Sequence, residues 1–188
     1  MIINKLVQVH SRQEWREWLT THHDAEDYCW LVSADPVPAS AGYLDFVEEA
    51  LCFGWIDSTT KKLNDRQTAQ RFSPRKKKSS WTELNKERVR RLEKLGLMTE
   101  SGRKVLPDLS AEGFVIHEEI LALLRSDEVL YRNFQALPDL YVRIKIHNIQ
   151  SVQKDEMLYQ NRLAKFIEQT RMNKMYGQWH DDGRLLAY

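Results

Sequence analysis

The spacing of apolar residues changes along the chain, and each change predicts an element. Ile, Leu and Val at strand-like spacing in residues 2–9 predict a first strand. Ser11-Arg12-Gln13-Glu14 then reads as a capping box, with Ser11 as N-cap and Glu14 reaching back to it. Trp15, Trp18, Leu19 and His22 follow on one face of a short helix. Tyr28 to Val32 is a continuous apolar run with the character of a buried strand, and Asp35-Pro36-Val37-Pro38 is a loop. Tyr43, Phe46, Val47, Ala50 and Leu51 recur at helical spacing, which predicts an amphipathic helix over residues 42–52, stopped at Gly54.

From Trp55 the period shortens again. Trp55 to Lys62 is rich in β-branched residues, Asn64-Asp65 is a turn signal, and a return strand through Phe72 completes a hairpin ended by Pro74. Ser80-Trp81-Thr82-Glu83 is a second capping box, and Gly96 is placed to close the helix that follows. At 100° per residue its inward face collects Trp81, Leu84, Asn85, Arg88, Leu92 and Leu95, with Val89 at the edge. Its outward face holds Thr82, Glu83, Lys86, Glu87, Arg90, Glu93 and Lys94. Thr99 opens a further helix, interrupted at Pro107.

From His117 onward the pattern is helical. Ile116, Ile120, Leu123 and Leu124 form one stripe; Ser126 is placed to cap a short helix bearing Leu130, Tyr131 and Phe134. Pro138 stands at the first position of the next helix, with Tyr141, Ile144 and Ile149, and a last helix from about Lys154 presents Leu158, Leu163, Phe166 and Ile167. The fold class expected is α+β: a small, mainly antiparallel sheet in the N-terminal half flanked by helices, and a helical C-terminal half. The expected organisation is an α+β core over residues 1–112, a helical part over 113–175 and a flexible tail over 176–188.

Composition adds little until charge is placed along the chain. The 188 residues are 42% hydrophobic and 29% charged, with a net charge of only +1, an ordinary globular balance. Yet Lys61 to Arg91 holds twelve Lys and Arg against three acids, which leaves the remainder net acidic. A concentration of positive charge attracts phosphate, nucleic acid or acidic ligands. Cys29 and Cys52 stand far apart in apolar surroundings and read as free, buried thiols of a reducing compartment. The start lacks the pattern of a signal peptide and no apolar run has the length of a membrane span, so the cytoplasm is the expected location.

Two sets of residues are candidates for chemistry. Arg88 falls on an inward face, where a guanidinium needs a carboxylate partner or an anion-binding cleft. Asp57, at the end of an apolar run, is the internal candidate. Together with Asn85 they form either a structural network or the floor of a pocket walled by Trp55 and Trp81. Arg71, Arg75 and Lys76 to Lys78 face outward and could grip phosphate beside the helix start, or simply form a solvated loop. With Phe72 and Trp81 they also suit a single-stranded nucleic acid. There is no Walker loop, nucleophile elbow, dinucleotide fingerprint or zincin motif, and His22 and His23 lack ligand-type spacing. No metal or cofactor is expected.

The string Glu49-Ala50-Leu51-Cys52-Phe53-Gly54-Trp55-Ile56-Asp57, then Arg71-Phe72-Ser73-Pro74-Arg75, Ser80-Trp81 with Asn85, Arg88-Val89, and Gly96-x-Met98-Thr99, resembles the YdeI/OmpD-associated, or bacteriocin-protection, family. Trp30-Leu31 upstream and Phe134-x-Ala136-Leu137-Pro138 downstream extend the likeness. The resemblance implies a bacterial protein linked to tolerance of antimicrobial peptides or envelope stress, with no established reaction and no assigned catalytic residue. Its motif positions here are Gly54, Trp55, Asp57, Arg71, Phe72, Pro74, Arg75, Trp81, Asn85 and Arg88. Cationic peptides would be repelled by the basic stretch, so a peptide would find the acidic remainder more suitable. Three readings stand: a non-enzymatic protection protein with an anion-accepting cleft at Arg71, Arg75, Lys76, Trp81 and Arg88; a nucleic-acid binder using residues 71–91; and an enzyme on a phosphorylated or carboxylated small molecule with Asp57 as acid/base.

Overall fold

The computed structural model describes residues 3–33, 39–65, 67–76 and 79–188, and the fold is α+β. The Asp35–Pro38 loop and Lys77 and Lys78 lie outside the described residues. The chain divides into two compact units, Met1–Ser80 with Arg88–Asp108, and Trp81–Glu87 with Leu109–Tyr188.

The first unit is built on a four-stranded sheet of β1 (Leu6–Val9), β2 (Cys29–Ser33), β3 (Trp55–Lys62) and β4 (Thr68–Pro74), in the order β1-β2-β4-β3. β1 pairs parallel to β2, and β4 runs antiparallel to both β2 and β3, so the predicted hairpin forms. Register pairs Cys29 with Phe72 and Trp30 with Arg71. Because side chains alternate along a strand, Phe72 and Trp30 belong to opposite faces. On the Phe72 face lies α1 (Arg12–His22), whose Trp15 ring packs 5.3 Å from Phe72 and whose Trp18 meets Trp55 edge-on at 5.8 Å. The opposite face carries a small cluster of Trp30, Val32 and Ala69, with Ile3, Tyr28 and Leu63 against it.

Ser11 caps α1 through the Glu14 amide, as its sequence predicts. The return bond differs: the Glu14 carboxylate accepts from His10 rather than from Ser11. In α2 (Ala39–Cys52), Phe46, Val47, Ala50 and Leu51 are buried, but Tyr43, expected on the same stripe, is 41% exposed. Its hydroxyl faces Asp57 instead.

The helix α3 (Glu83–Lys94) begins two residues later than its first capping signal suggests. Thr82, not Ser80, accepts the amide of Asn85 and is the N-cap. At the other end Gly96 takes φ +68°, and the amides of Gly96 and Leu97 bond Glu93 and Leu92, a Schellman close. Val89 and Leu92 are fully buried and Asn85 and Arg88 nearly so, but Leu95 is 47% exposed and Glu83 and Glu87 are buried. Thr99 caps α4 (Glu100–Arg103), and both its amide and hydroxyl donate to the Cys52 carbonyl.

The second unit holds α5 (Glu118–Arg125), α6 (Glu128–Gln135), α7 (Asp139–Gln150) and α8 (Glu156–Arg171). Ile120, Leu124, Leu130, Tyr141, Ile144, Ile149, Leu163 and Phe166 form its core. Asp127 caps α6, one residue beyond the predicted Ser126, which instead ends α5. Asp155 caps α8 in the same way, and Pro138 is the N-cap of α7 rather than its first residue.

The early turns of α3 belong to this unit, and cations partner their buried acids: Lys86 lies 2.9 Å from Glu83, and the Arg143 guanidinium of α7 lies 3.6 Å from Glu83 and 3.0 Å from Glu87. Residues 176–188, expected as a flexible tail, include the buried side chains of Trp179 and Leu185. Trp179 meets Tyr141 edge-on, and the Tyr188 hydroxyl donates to Glu87 at 2.7 Å.

Candidate functional site

A buried ion network of the N-terminal unit involves none of the candidate site residues. Glu48 and Glu49 of α2 are fully buried and held by three arginines. Arg12 donates to both acids, Arg16 to Glu49, and Arg91 of α3 to Glu48 at 2.8 Å. Arg16 also donates to the Leu97 carbonyl at 2.9 Å and stacks its guanidinium over Phe53. Buried charges so fully partnered fix elements against one another rather than wait for a ligand. A signal was present: Arg12 and Arg16 share a face of α1 by their four-residue spacing, and Asp45, Glu48 and Glu49 cluster on the next helix.

Asp57 does not pair with Arg88. Among the described residues its carboxylate accepts from the Tyr43 hydroxyl at 2.6 Å and from Gln70 at 3.4 Å. The β3 backbone is irregular between Asp57 and Thr60, where the register with β4 shifts. Trp55 is a core residue, 1% exposed, with its indole N–H donating to the His23 carbonyl. His23 itself is mostly enclosed, with its ring nitrogens at the Leu19 carbonyl and the Ser101 hydroxyl. Cys29 and Cys52 are free and buried; burial pushes both thiols up to about 12, Glu26 adding to the first and Glu49 to the second.

The basic residues separate. Arg75, expected to face outward, is only 7% exposed and donates to the Ser79 hydroxyl and the Ser80 carbonyl, both at 3.2 Å. Its backbone amide also bonds Gly54, so the residue ties the exit of β4 to the start of β3. Burial pushes its guanidinium down to about 10, with the charge of Asp57 acting the other way. The bonds to Gly54, Ser79 and Ser80, which the strand pattern does not indicate, explain the reversal. Lys76 is exposed, and its carbonyl accepts from both the amide and hydroxyl of Ser79.

Arg71 behaves differently. It projects from a central strand on the face opposite α1, with its guanidinium 4.7 Å over the Tyr28 ring and a bond to Ser73 at 3.3 Å. No carboxylate is within ion-pair distance of it among the described residues. Lys61 lies on the same side, 5.8 Å from the Trp30 ring.

Trp55, Asp57, Arg71, Arg75, Lys76 and Arg88 thus belong to the N-terminal unit, and Trp81 and Asn85 to the C-terminal one. A cleft of about 390 Å³ in the C-terminal unit is lined by Ala111, Phe114, Ile116, Asp139, Val142 and Arg143, among others, and by none of the candidate residues. The described residues contain no cluster of three or more His, Cys, Asp or Glu able to hold a metal, and no helix long and apolar enough to cross a membrane.

Residues 7–105 match the family model described as Domain of unknown function (DUF8412), and residues 113–173 match Bacteriocin-protection, YdeI or OmpD-Associated. No curated protein and no solved structure matches the chain. The motifs between Glu49 and Thr99 therefore fall in the first match, while the second takes in α5 to α8. The chain belongs to the first of these families, whose model spans more than half of it, and it carries a helical segment of the bacteriocin-protection, YdeI or OmpD-associated kind.

Proposed function

We propose that this is a protection protein of the bacteriocin or stress-tolerance kind that works in the cytoplasm by binding an anionic ligand, not by catalysing a reaction. The family match over residues 113–173 supports the role. The observation that supports the binding mode is Arg71: a cation without a carboxylate, backed by an aromatic ring, on a sheet face whose apolar cluster includes no helix residue. A guanidinium held over the Tyr28 ring, with one nitrogen on the Ser73 hydroxyl, has further N–H groups to offer a phosphate or carboxylate. Lys61 adds positive charge on the same side.

Nucleic acid is the second reading, because cations among aromatic residues on a sheet face suit a single strand. Its stacking platform is weak here: Trp30 has no exposed surface and the Tyr28 ring is already covered by Arg71. An acid/base role for Asp57 has less support, since its carboxylate is engaged by Tyr43 and Gln70. The test of the role is survival of cells lacking the gene when challenged with a bacteriocin. The native chain restores tolerance and Arg71→Gln does not; equal rescue by both would remove Arg71 from the function.

A further inference from the structure

Among the described residues, the C-terminal unit buries a cation with no carboxylate in ion-pair range. Lys145 lies in α7 between Ile144 and Ile146 and is 7% exposed. Its Nζ stands 4.3 Å from the centroid of the Tyr176 ring and 5.4 Å from that of Tyr141. Among the described residues it has neither a carboxylate in ion-pair range nor a hydrogen-bond acceptor. The Tyr141 hydroxyl, which could have served as one, accepts from the Tyr176 amide instead.

Further positive charges gather about the same ring. Lys165 of α8, an exposed residue, brings its Nζ to 5.0 Å from Tyr176. Burial raises the Tyr176 hydroxyl above its ordinary value, with the charge of Arg162, one turn earlier on α8, acting the other way, while one nitrogen of Arg162 is anchored on the Asn148 carbonyl. Burial first, and Lys165 second, disfavour the charged form of Lys145. Like charges converge on one ring only at a free-energy cost, unless something negative joins them.

Gly177 is exposed, and a Cβ built on it would stand 3.0 Å from the Lys145 Nζ. Any larger residue would crowd the ammonium from the solvent side. The Lys145 ammonium thus lies close to an exposed glycine, with an exposed lysine nearby.

We propose that Lys145 and Lys165, gathered about Tyr176, form an anion site that takes a phosphate-bearing ligand. Two cations, neither with a carboxylate in ion-pair range among the described residues, suit a dianion better than a monoanionic carboxylate, and the aromatic ring leaves the cations to supply the recognition. The site is separate from the Arg71 surface and does not depend on it.

The test is titration of the isotopically labelled full chain with inorganic phosphate, glycerol phosphate and acetate at matched ionic strength, followed by NMR at the Tyr176 and Gly177 amides. Saturable shifts are expected, about tenfold tighter for phosphate than for acetate. Lys165→Gln, an exposed substitution, weakens binding about tenfold, and Arg71→Gln leaves these two signals unchanged. Vesicles containing phosphatidic acid separate the possible sources: tighter binding to them than to glycerol phosphate indicates a lipid headgroup, and equal or weaker binding a soluble phosphate ester. Amides that do not move with phosphate, or that move equally with acetate and in Lys165→Gln, would overturn the site.

Discussion

One backbone carbonyl organises the junction after α2. The Cys52 oxygen accepts from the amide and the hydroxyl of Thr99, and Gly102 packs so closely that a Cβ there would lie 2.1 Å from it. Gly102→Ala should therefore cost at least about 1–3 kcal/mol, read as a lower denaturation midpoint. Gly96→Ala meets no atom within 4 Å, and its cost, about 1 kcal/mol, comes from the positive φ alone. A smaller loss at Gly102 than at Gly96 would contradict the close approach.

His147 gives a pH signature at the same scale. Burial holds its imidazole below the ordinary 6.5, with Glu83 pulling it up and Lys86 pushing it down. A depressed folded pKa means that the unfolded chain takes up the proton first. The full contribution is present above pH 6.5 and is lost as pH falls toward the lower folded value. Thermal unfolding between pH 8 and 5 should fall less steeply in His147→Gln than in the native chain.

At this scale the sequence is legible where a side chain's phase decides its burial, as for Leu92 and Val89, and misleading where a partner does. Arg75 and Glu87 look exposed in the helical and strand patterns, yet are buried because Ser79, Ser80 and Arg143 satisfy them. Lys145 carried a signal in its position between two isoleucines, but nothing in the pattern indicates that Tyr176 and Lys165 meet there.

Among elements, the ion network joins α1, α2 and α3. Glu49 is 1% exposed and takes two arginines, so Glu49→Leu leaves Arg12 and Arg16 without that partner. The expected loss is about 3–5 kcal/mol, and combining it with Arg16→Met, whose carboxylate partner among the described residues is Glu49, should restore part of it. Losses that add independently in a double-mutant cycle would mean the pairs are not coupled. Strands, caps and turns were readable because their signals are local: Ser11, Thr99, Gly96 and the Asn64-Asp65 turn all lie at the ends of elements. The starts of α3 and α6 were misplaced by one or two residues because Ser80 and Thr82, and Ser126 and Asp127, are equally good caps by composition. The contact each makes decides between them.

For the whole molecule, the boundary between the units is not the boundary between the family matches. Residues 81–87 belong with the C-terminal helices, because Glu83 and Glu87 are the partners of Arg143 and Glu87 receives Tyr188. A fragment of residues 81–188 should unfold at higher temperature than one of residues 109–188; equal midpoints would show that those acids add nothing. The α+β class was legible from the change of period, since a sheet of alternating residues and long helical stripes are read over many positions at once. The division of α3 between units was not, because one uninterrupted helical pattern carries no mark of which neighbours cover each turn.

The claim that an anion is accepted at Arg71 rests on a cation held over Tyr28 without an acid. Its most direct test is titration of the full chain with inorganic pyrophosphate while the Arg71 side-chain N–H signal is followed by NMR. A saturable shift of that signal, with the binding lost in Arg71→Gln, is the predicted result. An Arg71 signal that stays in place to saturation, or undiminished binding in Arg71→Gln, would contradict it.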